Sequence, residues 1–167
     1  PTDTVWGIGC DPTNEQAVQK IYDLKRRADS KAMLLLTDSM AKVQAYVTDV
    51  PDVVWDLVEC AEKPLTVIYP QGRNLATNLM AQDGSVGIRI TNEAFSKQLC
   101  MRFKKPIVST SANVSGQPTP AFFDEISEEI KAGVDYIVQA RQDDREKKQP
   151  SSIIKFEKNG TFAIIRE

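Results

Sequence analysis

The chain has 167 residues, 21 Lys and Arg against 23 Asp and Glu, and no histidine, which suits one domain large enough to bury a proper core. The absence of histidine excludes serine–histidine catalysis, histidine-centred zinc and imidazole acid–base chemistry. A formal net charge of -2 argues against binding nucleic acid by bulk electrostatics. No run approaches the roughly 18 apolar residues of a membrane helix, and no basic-then-apolar leader precedes the first motif, so the expectation is a soluble cytosolic protein.

In chain order, Pro1 to Gly9 ends in the glycine-punctuated apolar run Val5-Trp6-Gly7-Ile8-Gly9, which predicts a strand where backbone approaches something closely. Thr13 and Gln16 are spaced as a capping box, and Ala17, Val18, Ile21, Tyr22 and Leu24 repeat at helical period, predicting a helix over 15–26. Met33 to Leu36 predicts a buried strand, and short helices follow over 40–47 and 51–60. Strands are predicted at Leu65–Tyr69 and Ser85–Ile90, with a polar loop over 71–84 between them. A helix over 93–103, a strand end at 107–109 and a helix over 122–132 stopped by Gly133 come next. Tyr136–Val138, Ser152–Phe156 and Phe162–Ile165 complete the strands, the last two joined by a Lys-Asn-Gly turn. The charged stretch 139–149 reads as a mobile surface loop. Several connections are too short for helical crossovers, so the expected fold is α/β: a twisted mixed parallel and antiparallel sheet with flanking helices.

Cys10, Cys60 and Cys100 are odd in number and widely spaced, which suggests neither a disulfide framework nor a CxxC metal site. Lys25, Arg26, Arg27 and Lys31 gather four cations at the exit of the first helix. Two readings stay open for them, a solvated helix terminus and a clamp for a polyphosphate. Arg89 interrupts an apolar strand, where a guanidinium is costly unless it meets solvent or an anion. Arg166 repeats that pattern near the last strand's end. Ser109 to Pro118 crowds hydroxyls, the Asn113 amide and Gly116 into a turn after Pro106-Ile107-Val108. That composition fits a phosphate- or ribose-binding loop and an ordinary turn alike. No P-loop or dinucleotide fingerprint occurs. Glu125, Glu128 and Glu129 read as a solvated helix face, and Asp3 stands inside the densest N-terminal motif.

Taken in order, the opening Pro1-Thr2-Asp3-Thr4-Val5-Trp6-Gly7-Ile8-Gly9-Cys10-Asp11, the Lys25-Arg26-Arg27 cluster, Ser85 to Arg89 and Ser109 to Pro118 resemble the YrdC-like threonylcarbamoyl-adenylate synthases. The resemblance implies a single YrdC-like domain over 1–167 with a large concave site. It also implies a nucleotidyltransferase that makes threonylcarbamoyl-AMP and pyrophosphate from L-threonine, bicarbonate and ATP. The product would serve threonylcarbamoyladenosine formation in tRNA. By the same resemblance Thr4, Arg89, Ser109 and Ser151 would hold threonine. Arg27, Lys31, Ser85, Ser111, Asn113, Thr119 and Arg166 would hold ATP. Lys25 and Arg27 would supply charge stabilisation, Mg2+ would arrive with ATP, and no protein metal ligands would be needed. Partners implied are tRNA or double-stranded RNA and the proteins that transfer the threonylcarbamoyl group.

Relatives of this kind carry a segment ahead of the PTDT motif, and the expectation is that this chain lacks it. Trp6 stands where they usually have tyrosine, Ala28 and Ala32 where prolines are common, and Glu62-Lys63-Pro64 where they approach the strand by Pro-Gly-Pro. Two other readings are a non-catalytic RNA-binding module and a carbamoyl-adenylate domain of hydrogenase maturation. The acidic balance opposes the first and the single-domain length opposes the second.

Overall fold

A computed structural model describes residues 1–27, 33–157 and 159–167. Seven strands form one sheet: β1 (Gly7–Ile8), β2 (Leu34–Thr37), β3 (Leu65–Tyr69), β4 (Val86–Ile90), β5 (Ile107–Ser111), β6 (Ser152–Phe156) and β7 (Phe162–Arg166). Their order across the sheet is β1-β5-β2-β4-β3-β6-β7. The β2–β4 and β3–β6 pairs are parallel and the others antiparallel, so the sheet is mixed. Helices α1 (Glu15–Lys25), α2 (Met40–Tyr46), α3 (Asp52–Glu59), α4 (Ala94–Phe103) and α5 (Glu128–Ala132) flank it.

Strand alternation divides the sheet into two chemically different faces. Val86, Ile88, Val67, Tyr69, Leu35 and Val108 enter one hydrophobic cluster with Val18, Ile21 and Tyr22 of α1, Val43 of α2 and Val54 of α3. The opposite face carries Gly87 and Arg89 of β4 and Thr66 of β3, with Ser109 and Ser111 of β5 and Gly7 of β1. Arg89 stands in register with Thr66 on one side and Leu36 on the other. This face mixes the aliphatic Leu34, Leu36, Ile68 and Ile107 with small and hydroxyl-bearing residues around one arginine.

Several local expectations give way to stronger local bonds. The α1 cap is Asn14, whose side chain accepts from the Ala17 N–H at 3.0 Å, and not Thr13. Thr13 is already bound by Asp11, through its N–H at 2.8 Å and its hydroxyl at 2.6 Å. The predicted helix over 122–132 is broken into a 3-10 turn (Phe123–Glu125) and α5. Glu125 turns back onto the N–H groups of Ala121 and Phe122, and Ser127 restarts the helix by accepting from Ile130.

Tyr136–Val138 forms no strand: Ile137 and Val138 line an apolar cavity of about 460 Å3 beside Leu99 and Phe103 of α4, while Tyr136 is exposed. Their hydropathy is spent on that wall rather than on a ladder. The N-terminal strand shrinks to two residues, because Asp3 to Val5 bend. The run Ser109-Thr110-Ser111 belongs to β5, so the turn begins at Ala112. The charged stretch 139–149 is anchored by Arg141, which pairs with Glu93 at 2.9 Å and also with Asp144.

At the β1 edge, Gly9 lets the chain lie against β5: a Cβ there would stand 2.5 Å from the Val108 carbonyl oxygen and 2.9 Å from Ile107 Cγ2. Neither neighbour can yield cheaply, because one is backbone and the other is packed. Gly9→Ala is therefore expected to lower stability by about 1–3 kcal/mol, read as a lower urea midpoint at unchanged slope. An unchanged midpoint would show that the edge gives way freely.

Candidate functional site

The site grows from Arg89. Its side chain is 3% exposed, and a charge so deep in a sheet requires partners. Asp3 lies 3.0 Å from one terminal nitrogen, and the same nitrogen donates to the Thr4 hydroxyl at 3.1 Å. The bend at 3–5 is what turns both side chains toward β4. Burial pushes the Asp3 carboxyl up, and Arg89, chiefly, draws it back down. The Arg89 Nε is buried and finds no acceptor among the described residues.

The Thr4 hydroxyl has a definite polarity. Thr2 Oγ1 donates to the Val5 carbonyl at 2.8 Å, so the proton in its 3.1 Å contact with Thr4 Oγ1 comes from Thr4. Thr4 thus spends its proton on Thr2 and one lone pair on Arg89, leaving only an acceptor for a ligand. Beside it, Arg89 Nε offers a donor. Such a pair of groups suits a small zwitterion, its amine over Thr4 and its carboxylate against Arg89.

A second cluster adjoins the first. Thr66, in register with Arg89, bonds Ser151 through their hydroxyls at 2.8 Å, and both residues are buried. Arg166 of β7 donates from Nε to the Ser151 carbonyl at 2.8 Å and stands 3.4 Å from its hydroxyl. Arg166 is close enough that its charge disfavours that of Arg89. Two cations held near one another favour an anionic ligand between them. Thr66 and Thr2 were not singled out from sequence, although a threonine interrupting Leu65-Thr66-Val67-Ile68-Tyr69 carries the same signal as Arg89 in its own strand.

The third cluster fixes the loop after β5. Lys25, 1% exposed, donates to the Asn113 carbonyl at 2.6 Å and to the Ser111 carbonyl, while its own carbonyl accepts from the Ser115 N–H at 2.8 Å. Its ammonium is a staple joining α1 to the loop, and not part of an open basic wall. Asn113 Nδ2 donates to the Gln117 carbonyl at 2.7 Å, closing the turn. Asn113 Oδ1 and Ser115 Oγ are buried and have no partner among the described residues.

The remaining candidates are more dispersed. Arg27 follows Arg26, whose backbone is left-handed at φ 49°, and is half-buried at the loop's approach. Lys31 lies outside the described residues. Ser85 precedes β4 and is buried; its N–H and hydroxyl bind Asp83, and these bonds, the hydroxyl's first, hold that carboxyl down to about 2. Ser109 is buried on the Arg89 face, and Thr119 is exposed. Trp6 packs against Phe123 at 5.1 Å, forming an aromatic wall beside the Thr4 bend.

Cys10 is pushed up to about 12 and Cys100 to about 11, burial being the main cause, so neither thiol ionises near neutral pH. Among the described residues no group of three or more Cys, Asp or Glu is placed to hold a metal. Among the described residues Asp3 lies against Arg89, and Glu93 is bonded to the α4 N-terminus and Arg141. Among the described residues no helix is long and apolar enough to cross a membrane.

An α/β domain with an arginine buried in one face of a mixed sheet, and a hydroxyl-rich loop stapled to its first helix, is the class this geometry defines. The chain belongs to the Sua5/YciO/YrdC family, described as Telomere recombination, which matches over residues 1–167. It is 36% identical over 141 residues to a threonylcarbamoyl-AMP synthase of Pseudoalteromonas translucida, covering 83% of this chain and 75% of the relative. A protein of the same name from Acinetobacter baumannii is 32% identical over 161 residues, with 92% and 84% covered. In fold, the chain is similar to P. abyssi Sua5 complexed with L-threonine. That match has a TM-score of 0.82 at 22% identity and spans 93% of this chain and 46% of the other.

Burial, and next the charge of Arg27, hold the Lys25 ammonium down to about 8. A lysine whose folded value lies below its unfolded one binds fewer protons when folded, so stability rises with pH from about 8 toward 10.4. Relative to Lys25→Met, the native chain is therefore expected to gain of order 1–3 kcal/mol between pH 7.5 and 10. Parallel pH profiles of the two proteins in urea unfolding would contradict this.

Proposed function

We propose that the chain is an L-threonylcarbamoyladenylate synthase, joining L-threonine, bicarbonate and ATP into threonylcarbamoyl-AMP with release of pyrophosphate. The observation that carries this reading is the pairing of buried Arg89, whose Nε has no acceptor among the described residues, with a Thr4 hydroxyl able only to accept. Family membership and the names of the relatives support it.

Threonine binds with its carboxylate on Arg89 and its amine over Thr4, with Ser109 and Ser151 lining the same pocket. Accepting from the amine, Thr4 directs the nitrogen lone pair at the carbon of bicarbonate. The C–N bond forms, water leaves, and an N-carbamate results. A carbamate oxygen then attacks the α-phosphorus of ATP in line, and the bond to the β-phosphate oxygen breaks to release pyrophosphate. No step needs a protein nucleophile, in keeping with the Cys10 and Cys100 thiols held above their ordinary range by burial.

Arg27, Arg166 and Lys31 meet the phosphates, while Ser85, Ser111, Asn113 and Thr119 hold the nucleotide. Catalysis rests on positioning and on cations stabilising charge at the transferring phosphoryl group. With Asp3 and Glu93 each paired with an arginine, Mg2+ would enter with ATP as part of the substrate. The labile product passes to a tRNA adenosine through transfer proteins in the cytoplasm.

Pyrophosphate release should require threonine, bicarbonate and ATP together. Arg89→Lys, which loses the forked donor, is expected to raise the KM for threonine at least about tenfold, whereas Ser111→Ala weakens ATP by about 2–10-fold. Release of pyrophosphate at the same rate without threonine would overturn the assignment. RNA binding without any nucleotide binding would point instead to a non-catalytic module.

A further inference from the structure

The residues assigned to threonine, Thr4, Arg89, Ser109 and Ser151, are all buried. Thr4 lines a cavity of about 20 Å3, which has room for about one water and none for an amino acid. One wall of that cavity is the N-terminal bend with Thr4 and Trp6, and the other carries Arg141, Asp144, Glu146 and Lys148. Those four side chains belong to one strap, part of a connection that runs without helix or strand from α5 to β6. For threonine to reach the Thr4 hydroxyl, either the bend or the strap must move. The bend is tied to Arg89 through Asp3 and Thr4.

The strap is held firmly at its ends and lightly between them. At one end Arg141, its backbone left-handed at φ 60°, donates to Glu93 at 2.9 Å, and the same carboxylate caps α4. At the other end Ser151 is bonded to Thr66 and accepts from Arg166. Among the described residues, 143–150 is tied to the rest of the domain through Arg145, which donates to Asp124 at 2.8 Å and lies over the Phe122 ring at 5.5 Å. Its other bonds, Asp144 to Arg141, Glu146 to Asp144 and Lys148 to Glu146, stay within the strap. Arg145 and Asp124 are both well exposed, and an exposed pair is weak and screened by salt.

We infer that residues 142–150 are a gate over the threonine site, hinged at Arg141 and Ser151 and closed by the Arg145–Asp124 pair. The inference rests on the synthase reading above. A site open for a fraction of the time binds with an affinity reduced by that fraction, so a weaker catch admits threonine more readily. Loss of a contact that merely supported the site would act in the opposite direction.

The test compares the native chain with Arg145→Ala and Asp124→Asn, which remove the catch from either side, with melting curves to establish that each is folded. Threonine-dependent pyrophosphate release and amide hydrogen exchange over 143–149 are followed from about 0.05 to about 0.5 M NaCl. At low salt both variants are expected to exchange these amides faster and to raise kcat/KM for threonine about two- to fivefold. Salt should bring the native chain up to the variants, so that the difference closes. An unchanged or lowered kcat/KM in a variant whose strap exchanges faster would overturn the gate. Unchanged exchange in both variants, or a gain that persists undiminished at high salt, would overturn it too. A native chain lacking threonine-dependent turnover would instead remove the synthase reading and this inference with it.

Discussion

A guanidinium buried in the middle of a sheet is the constraint around which the rest of the structure is arranged. Arg89 occupies a strand position that alternation gives to the site face, where it is 3% exposed. Breaking such a pair by removing one partner costs about 3–5 kcal/mol, so the fold must deliver a carboxylate and a hydroxyl to it. The N-terminal chain does this by abandoning its strand over Asp3–Val5, and the bend is possible because β1 needs only Gly7 and Ile8 to pair with β5. Gly9 then lets the chain continue closely against Val108. Dense motif, short strand and glycine spacing are one solution to one buried charge.

A second buried cation is handled differently, and the contrast explains their separate tasks. Among the described residues Lys25 meets carbonyl oxygens and no carboxylate, so its charge is solvated by backbone dipoles and its protons are divided among fixed acceptors. That arrangement holds a loop in place. Arg89 meets a full counter-charge, Asp3, at one terminal nitrogen, while its Nε finds no acceptor among the described residues. The two buried cations thus differ in kind, one paired with a carboxylate and the other bonded to backbone carbonyls.

Much of this was legible in the sequence because it depends on period and on residue type. The Val86-Gly87-Ile88-Arg89-Ile90 run shows its two faces by alternation alone, and α1 and α4 follow from their apolar repeats. What escaped notice depends on competition between neighbouring groups. Asp11 claims Thr13 and moves the α1 cap to Asn14, while Glu125 and Ser127 cut a helical pattern in two. Tyr136–Val138 has strand-like hydropathy but packs against an apolar cavity. In the site, Arg89 and Thr4 could be named singly, but the polarity of the Thr4 hydroxyl could not. It depends on Thr2 donating to Val5, a geometric fact that no spacing encodes.

That hydroxyl chain bears on how a site without histidine can favour attack by an amine. An amine is nucleophilic only when unprotonated, and a nearby cation such as Arg89 shifts the balance toward the neutral form. A hydroxyl that can only accept then orients the remaining N–H, leaving the lone pair directed away from Thr4. In the proposed reaction Arg89 and Thr4 would divide between them what an imidazole base does alone, one by its charge and the other by its fixed polarity. Since neither group transfers a proton to do this, a threonine bound as its zwitterion would give one ammonium proton to solvent, and the second, lost as the C–N bond forms, would leave with the bicarbonate oxygen as water.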